Sequence, residues 1–305
     1  MLPVNGLHHV TSLAGDAQRN NDFFTKTLGL RRVKKTVNFD APDVYHLYYG
    51  DEIGTPGTVM THFPFQNAAP GTRGTGEAGE ISFSVPPGSL GEWETRLADH
   101  SLVRSTAFGA GKLAFTGPDG DGLALVEAED DRAPWTGQLS ADLAIRGFHS
   151  VRLVLTETEP TRKVLEALGF LALAEENGIV RMAAGDGGPG YLVDLEARPD
   201  LPAARQSAGS VHHVAFRVAD RAAQDEVRDA MSEIGMKVTP SIDRDYFRAI
   251  YFRSPGGVLF EVATDEPGFT RDEDVATLGT ALKLPEQHAH LRDQLEAGVL
   301  PTIRD

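Results

Sequence analysis

The sequence contains no cysteine, which excludes disulfide staples, zinc–thiolate centres and thiol nucleophiles together. Any metal has to be held by His, Asp or Glu. No apolar run approaches the roughly 20 residues that cross a bilayer. The opening MLPVNGLHHV also lacks the basic start and apolar core of a secretion signal. A cytoplasmic protein without a membrane partner is therefore expected. Basic residues are in deficit, with 29 Lys and Arg against 44 Asp and Glu, a formal charge of −15. Affinity for nucleic acid rests chiefly on clustered Lys and Arg, so none is expected as a partner, and the dispersed acidic residues read as a soluble surface.

What the chain does have is repetition. Its 305 residues are enough for two ordinary domains. Four short alternating segments stand out: HHVTSLA from 8, EISFSV from 80, HSVRLVL from 149 and HHVAFRV from 212. Each alternates as a half-buried strand does. A helix-like stretch follows each, and three of these end in LGL (28–30), LGF (168–170) or IGM (234–236). Gly29, Gly169 and Gly235 sit where a left-handed residue closes a helix at little cost. Short strands with turn residues then follow, as in FTGPDGDGLALVEA (115–128) and FRSPGGVLFEVAT (252–264). The order strand, helix, three strands thus occurs four times, with starts near 9, 80, 150 and 213. That period is too long for the common solenoids. The expected organisation is an N-terminal half (1–128), a linker rich in charge, Pro and Gly (129–145), a C-terminal half (146–269) and a tail (270–305) with one helix over PEQHAHLRDQLEAGVL.

Four such copies, with His opening the first strand and Glu in the last, resemble the vicinal oxygen chelate superfamily, which includes glyoxalase I, extradiol dioxygenases and antibiotic-resistance binding proteins. Within it, the two HHV strands, IDRDYFRAIYFRSPGGVLFEVATDEPGF (242–269) and the LP-containing tail are similar to the hydroquinone-cleaving dioxygenases. The resemblance implies an α+β fold in which four βαβββ modules form two domains of curved mixed sheets with flanking helices. It also implies an Fe(II)-dependent enzyme that inserts both atoms of O2 into a hydroquinone- or catechol-type aromatic and opens the ring.

In this fold a metal takes its ligands from the first and last strands of two paired modules. Aligning the copies by alternation groups His9, Glu80, Ser150 and His213 on the first strand, and Thr61, Val126, Asp194 and Glu261 on the last. Pairing copies one and four gives His9, His213 and Glu261, a facial triad suited to non-haem Fe(II), with Mn(II) fitting the same donors. Pairing copies two and three gives a set without histidine. Thr61 is a poor fourth ligand, and His62 could take its place only through a β-bulge.

The resemblance further implies polar groups around the metal at His8, Thr11, His212, Arg244 and Tyr251. By simple alternation His8 and His212 point away from the ligands, whereas Tyr251 lies beside Glu261 across the SPGG hairpin. Phe39, Tyr45, Phe247 and Phe252 are candidate pocket aromatics, and His288 and His290 read as solvated. The expected partners are a small aromatic diol and O2, with monomer and homo-oligomer both open. Two other readings are a glyoxalase-like isomerase with a fourth protein ligand and a metal-free module that sequesters an aromatic compound.

Overall fold

Residues 2 and 4–304 are described in a computed structural model of the chain; the expected outer boundaries at residues 1 and 305 lie outside them. Each repeat is a βαβββ unit. The first comprises β1 (Leu7–Ala14), α1 (Ala17–Asp22), β2 (Arg31–Val37), β3 (Tyr45–Gly50) and β4 (Val59–Pro64). The second comprises β5 (Glu77–Val85), α2 (Leu90–Arg96), β6 (Val103–Ala107), β7 (Ala110–Thr116) and β8 (Gly122–Glu127). The third comprises β9 (Gly147–Leu155), α3 (Glu159–Ala167), β10 (Leu171–Glu176), β11 (Ile179–Ala183) and β12 (Leu192–Ala197). The fourth comprises β13 (Val211–Val218), α4 (Arg221–Glu233), β14 (Ile242–Asp243), β15 (Phe247–Arg253) and β16 (Leu259–Pro267).

Local chemistry sets the helix ends. The Asp16 and Asp220 carboxylates accept from the backbone N–H groups of Arg19 and Ala223, satisfying donors that the first helical turn leaves over. Gly29, Gly169 and Gly235 have φ of 73°, 101° and 86°, the left-handed conformation expected of them.

The strands form two curled eight-stranded mixed sheets, ordered β14-β15-β16-β13-β1-β4-β3-β2 and β10-β11-β12-β9-β5-β8-β7-β6. Modules one and four build the first sheet, and modules two and three the second. The sheets therefore do not follow the halves 1–128 and 146–269: residues 129–145 join β8 to β9, two strands of the same sheet. Each sheet is centred on an antiparallel pair of first strands, β1 with β13 and β5 with β9. A single apolar cluster containing Trp93, Phe83, Phe148, Phe170 and Phe216 joins the two units. A smaller cluster, including Tyr48, Tyr246, Phe247 and Phe269, packs residues after β16 against the first sheet.

The tail differs from the single helix expected of it. It forms a 3-10 segment (Glu286–Leu291), a short α-turn (Arg292–Gln294) and a π-turn (Leu295–Val299), and Gly298 at φ 126° interrupts regular winding. Its partners are in module one, where Lys283 N–H donates to Lys35 C=O and Tyr45 Oη donates to Pro301 C=O. His290 is exposed, but His288 is half-buried with Nε2 2.9 Å from Phe39 C=O. Tertiary contact with the Phe39 loop overrides the solvated position read for His288.

Candidate metal centre

The β1–β13 ladder brings His9 and His213 together from opposite ends of the chain. His9 faces Ala215, and Thr11 faces His213. Glu261, on β16, lies beside Ala215 in the parallel ladder. The ligating atoms of His9, His213 and Glu261 all fall within 4.8 Å of one another. His213 Nε2 is 2.9 Å from Glu261 Oε2, and His9 Nε2 is 3.5 Å from the same oxygen. The two Nε2 atoms are 3.1 Å apart. All three side chains are buried, and burial of this kind is tolerated only where charge is compensated.

Hydrogen bonding fixes the polarity of these rings. His8 Nε2 lies 3.1 Å from Thr264 C=O, and a carbonyl can only accept, so His8 carries its proton there. Burial, and next the neighbouring His9, hold His8 well below the usual histidine range, so the ring is neutral and its Nδ1 accepts. His9 Nδ1 therefore donates across 2.9 Å to His8 Nδ1, which leaves His9 Nε2 as a bare lone pair aimed at His213 and Glu261. His212 Nδ1 and His213 Nδ1 repeat the contact at 2.7 Å.

Lone pairs of two imidazoles and a carboxylate facing one another repel unless a cation lies between them. Neither oxygen of Glu261 has a hydrogen-bond partner. Orphaned donors of this chemistry fit a divalent transition metal.

The arrangement of His8 and His212 differs from simple alternation. Leu7 faces Phe216 while His9 faces Ala215, so His8 is an extra residue on β1; Thr11 faces His213 while Ser12 faces Val211, so His212 is an extra residue on β13. These symmetric β-bulges turn each ring edge-on against its neighbour, with centroids 5.0 Å apart in both pairs. His212 faces the cavity beside the cluster, whereas His8 packs against Phe247.

That cavity measures about 460 Å³. Tyr251 faces Glu261 across the β15–β16 ladder, and its hydroxyl accepts from Arg244 Nε at 3.2 Å. Burial, then Glu261, pushes the Tyr251 phenol well above its usual range. The Arg244 guanidinium lies between the rings of Phe39 and Tyr251, at 5.3 and 5.4 Å from their centroids, and 3.7 Å from Asp40. The neighbouring Asp243 pairs instead with Arg248.

Phe39 and Phe247 line the cavity as expected, but Tyr45 reaches into the tail and Phe252 packs on Phe260 in the core. Thr11 is fully buried beneath the ligands, bonded to Thr61 Oγ1 at 2.8 Å. His62 is not a fourth donor. The β1–β4 ladder runs without a bulge through Thr61 and His62, so His62 faces away and packs on Phe24 at 4.4 Å. Burial lowers its pKa to about 3.

Tyr48 and His46 are among the cavity residues that the sequence reading did not name. Tyr48 faces Thr61 as Tyr251 faces Glu261, so extending the repeat alignment from the first and last strands to the third would have found it. His46 stands two residues earlier on the same face of β3.

In the second sheet the same alignment needs one correction. Ser82, which faces Ser150 as Thr11 faces His213, lies beside Ala124. Ala124, not Val126, is therefore the counterpart of Thr61, because β8 enters its ladder two residues earlier than the alternation suggested. Glu80, Ser150 and Asp194 hold their expected places but gather no metal-ligating cluster among the described residues. Glu80 is instead bound by Lys112 at 2.6 Å, and Asp194 by both arms of Arg181 at 2.7 and 2.8 Å.

A family model for the glyoxalase/bleomycin resistance protein/dioxygenase superfamily matches residues 6–262. The chain belongs to this superfamily. Among its relatives, MhqE of Bacillus subtilis (strain 168), provisionally assigned as a ring-cleaving dioxygenase, is 43% identical over 99% of this chain and 100% of its own. A chlorohydroquinone/hydroquinone 1,2-dioxygenase from Sphingobium indicum is 37% identical over 96% of this chain and 95% of its own. The crystal structure of a provisionally assigned dioxygenase from Bacillus subtilis superposes over the whole of both chains, with TM-score 0.95 and 40% identity. Glyoxalase I from Zea mays shares the superfamily fold, with TM-score 0.65 and 16% identity over 85% of this chain and 92% of its own.

Proposed function

We propose that the chain is an Fe(II)-dependent ring-cleaving dioxygenase of hydroquinone- or catechol-type aromatics. The observation that carries this reading is the orphaned His9–His213–Glu261 cluster opening on a cavity beside Tyr251 and Arg244. Relatives of full length bearing dioxygenase names support it. Fe(II) held by two imidazoles and one carboxylate would supply the redox coupling of a phenolate to O2 and keep positions open for both.

The chain's own groups supply orientation, charge and proton traffic. His8 fixes the His9 ring through its Nδ1, and Thr264 C=O fixes His8 in turn. Arg244, half-buried against two aromatic rings, holds a substrate phenolate and steadies negative charge that develops on the ring. Burial works against the Arg244 charge, but the Tyr251 hydroxyl and Asp40 more than offset it and raise its pKa. Tyr251 Oη, fully protonated at neutral pH, is placed to give a hydrogen bond or a proton to an oxygen at the metal end of the cavity. His212, lowered to about 4 by burial and then by His213, is neutral; with Nδ1 occupied by His213, it carries its proton on Nε2, from which it can donate to an oxygen in the cavity. Phe39, Phe63 and Phe247 exclude water from the reacting ring.

The test is anaerobic loading with Fe(II) followed by oxygen uptake with hydroquinones and with catechols. Uptake stoichiometric with ring opening is expected for at least one class. No uptake with either, in protein holding one iron per chain, would refute the reading. Metal-dependent isomerisation of a thiol–aldehyde adduct without oxygen would instead favour the isomerase class, although the placement of His62 removes the fourth ligand that class requires.

A further inference from the structure

The pseudo-symmetry of the first sheet places a second tyrosine where the functional reading has used only one. Tyr48 on β3 faces Thr61, and Tyr251 on β15 faces Glu261. Strands β3 and β15 each stand two strands out from the central β1–β13 pair. The two phenols thus rise from opposite walls of one curled sheet and line the same cavity. The polar groups around Tyr251 belong to the metal end: Tyr251 faces Glu261 in register, and His212 is bonded to His213.

On the opposite wall, Tyr48 Oη lies 2.8 Å from His46 Nδ1, His46 Nε2 lies 2.9 Å from Thr61 Oγ1, and Thr61 Oγ1 lies 2.8 Å from Thr11 Oγ1. This chain of four groups is buried throughout. Each hydroxyl in it can donate or accept, and the imidazole carries one proton, so reversing every bond leaves all groups paired. The Tyr48 oxygen can therefore present either a proton or a lone pair without leaving an orphan in the chain.

Resting on the dioxygenase reading for the identity of the substrate ring, we propose that Tyr48, set by His46, binds the ring hydroxyl that lies away from the metal. The two residues would thereby select 1,4-diols over 1,2-diols and simple phenols. A 1,2-diol carries both oxygens on adjacent carbons, so both lie at the metal end beside Tyr251 and Arg244. A 1,4-diol carries its second oxygen across the ring, where the β3 wall supplies the hydroxyl. Tyr48 is the specificity-determining residue; His46, Thr61 and Thr11 are positioning residues behind it.

The experiment measures anaerobic dissociation constants of hydroquinone, catechol and phenol for metal-loaded protein, by calorimetry and without turnover. The wild type should bind hydroquinone about tenfold more tightly than phenol, the worth of one buried hydrogen bond. Tyr48→Phe, which keeps the ring that packs on Phe269 at 5.0 Å, should erase that difference while leaving phenol and catechol unchanged. Thr61→Val should remove part of the preference and Thr61→Ser should restore it, an outcome that a purely structural role would not produce. Equal binding of hydroquinone and phenol by the wild type, or equal weakening of both by Tyr48→Phe, would overturn the proposal. Because the readout is affinity, failure of oxygen uptake would overturn the dioxygenase reading alone.

Discussion

The two sheets are built on one plan and have opposite electrostatic solutions at its centre. In the first, the positions of His9, His213 and Glu261 hold three unpartnered donors. In the second, the same positions hold Glu80, Ser150 and Asp194, and the protein supplies its own cations. Register shows where these come from. Arg181 faces Asp194 as Tyr251 faces Glu261. Ala114 faces Ala124 as Tyr48 faces Thr61, so Lys112, two residues earlier, stands in the place of His46. The bulges persist as well, with Gly79 as the extra residue on β5 and His149 on β9. Gly79 has no ring to lend, and His149 Nδ1 turns to Ser150 Oγ at 3.1 Å. A scaffold that gathers carboxylates and imidazoles must neutralise them, and here it does so once through donors suited to a metal and once through Lys and Arg.

The sharpest way to break this comparison is to remove a donor from each sheet. His213→Ala should abolish oxygen uptake, a loss of at least about 1000-fold given the size of metal-centred rate enhancements, whereas Glu80→Gln should leave turnover within about twofold. Comparable losses in both would mean that the second sheet also serves catalysis.

Next in size is the ion pair itself. Asp194→Asn leaves the Arg181 guanidinium buried without its bidentate partner and should destabilise the fold by about 3 kcal/mol, read as a shift in urea midpoint with metal content unchanged. Replacing both residues, Arg181→Met with Asp194→Leu, should recover most of that loss.

Acid should weaken the two sheets alike. Burial lowers His62 in the first and His149 in the second to about 3, below the ordinary 6.5. A depressed histidine favours the folded state above pH 6.5 and loses that contribution as pH falls toward 3, because the unfolded chain takes up the proton first. Between pH 7.5 and 5 each should cost about 2 kcal/mol, and His149→Gln should flatten the pH dependence of the urea midpoint by that amount. The smallest expected effect is at Asp40, whose side chain is 83% exposed. Asp40→Asn should change stability by less than about 0.5 kcal/mol and leave metal content unaltered.

Strand alternation and the repeat made much of this legible in the sequence. They located four βαβββ units and put Tyr251 beside Glu261, because period-two patterning reports which face a side chain takes; the resemblance to the superfamily then brought His9, His213 and Glu261 together as one set. What alternation could not report is an inserted residue. His8 and His212 fell on the wrong face because each is the extra residue of a bulge, and Val126 was taken for Ala124 because nothing local marks where β8 joins its ladder. Tyr48 and His46 were missed because β3 reads as YHLYYG, where every residue is buried on one side or the other and polarity no longer distinguishes the faces. The tail's contact with the Phe39 loop depends on pairing across some 250 residues, which no window of sequence carries.

The most direct test of the central claim is metal stoichiometry after anaerobic reconstitution with Fe(II) and removal of excess. One iron per chain is expected for the wild type and for the Glu80→Gln, Asp194→Asn double variant, with none retained by Glu261→Ala. Two irons per chain in the wild type, or one retained by Glu261→Ala, would contradict the assignment of the metal to the sheet of modules one and four.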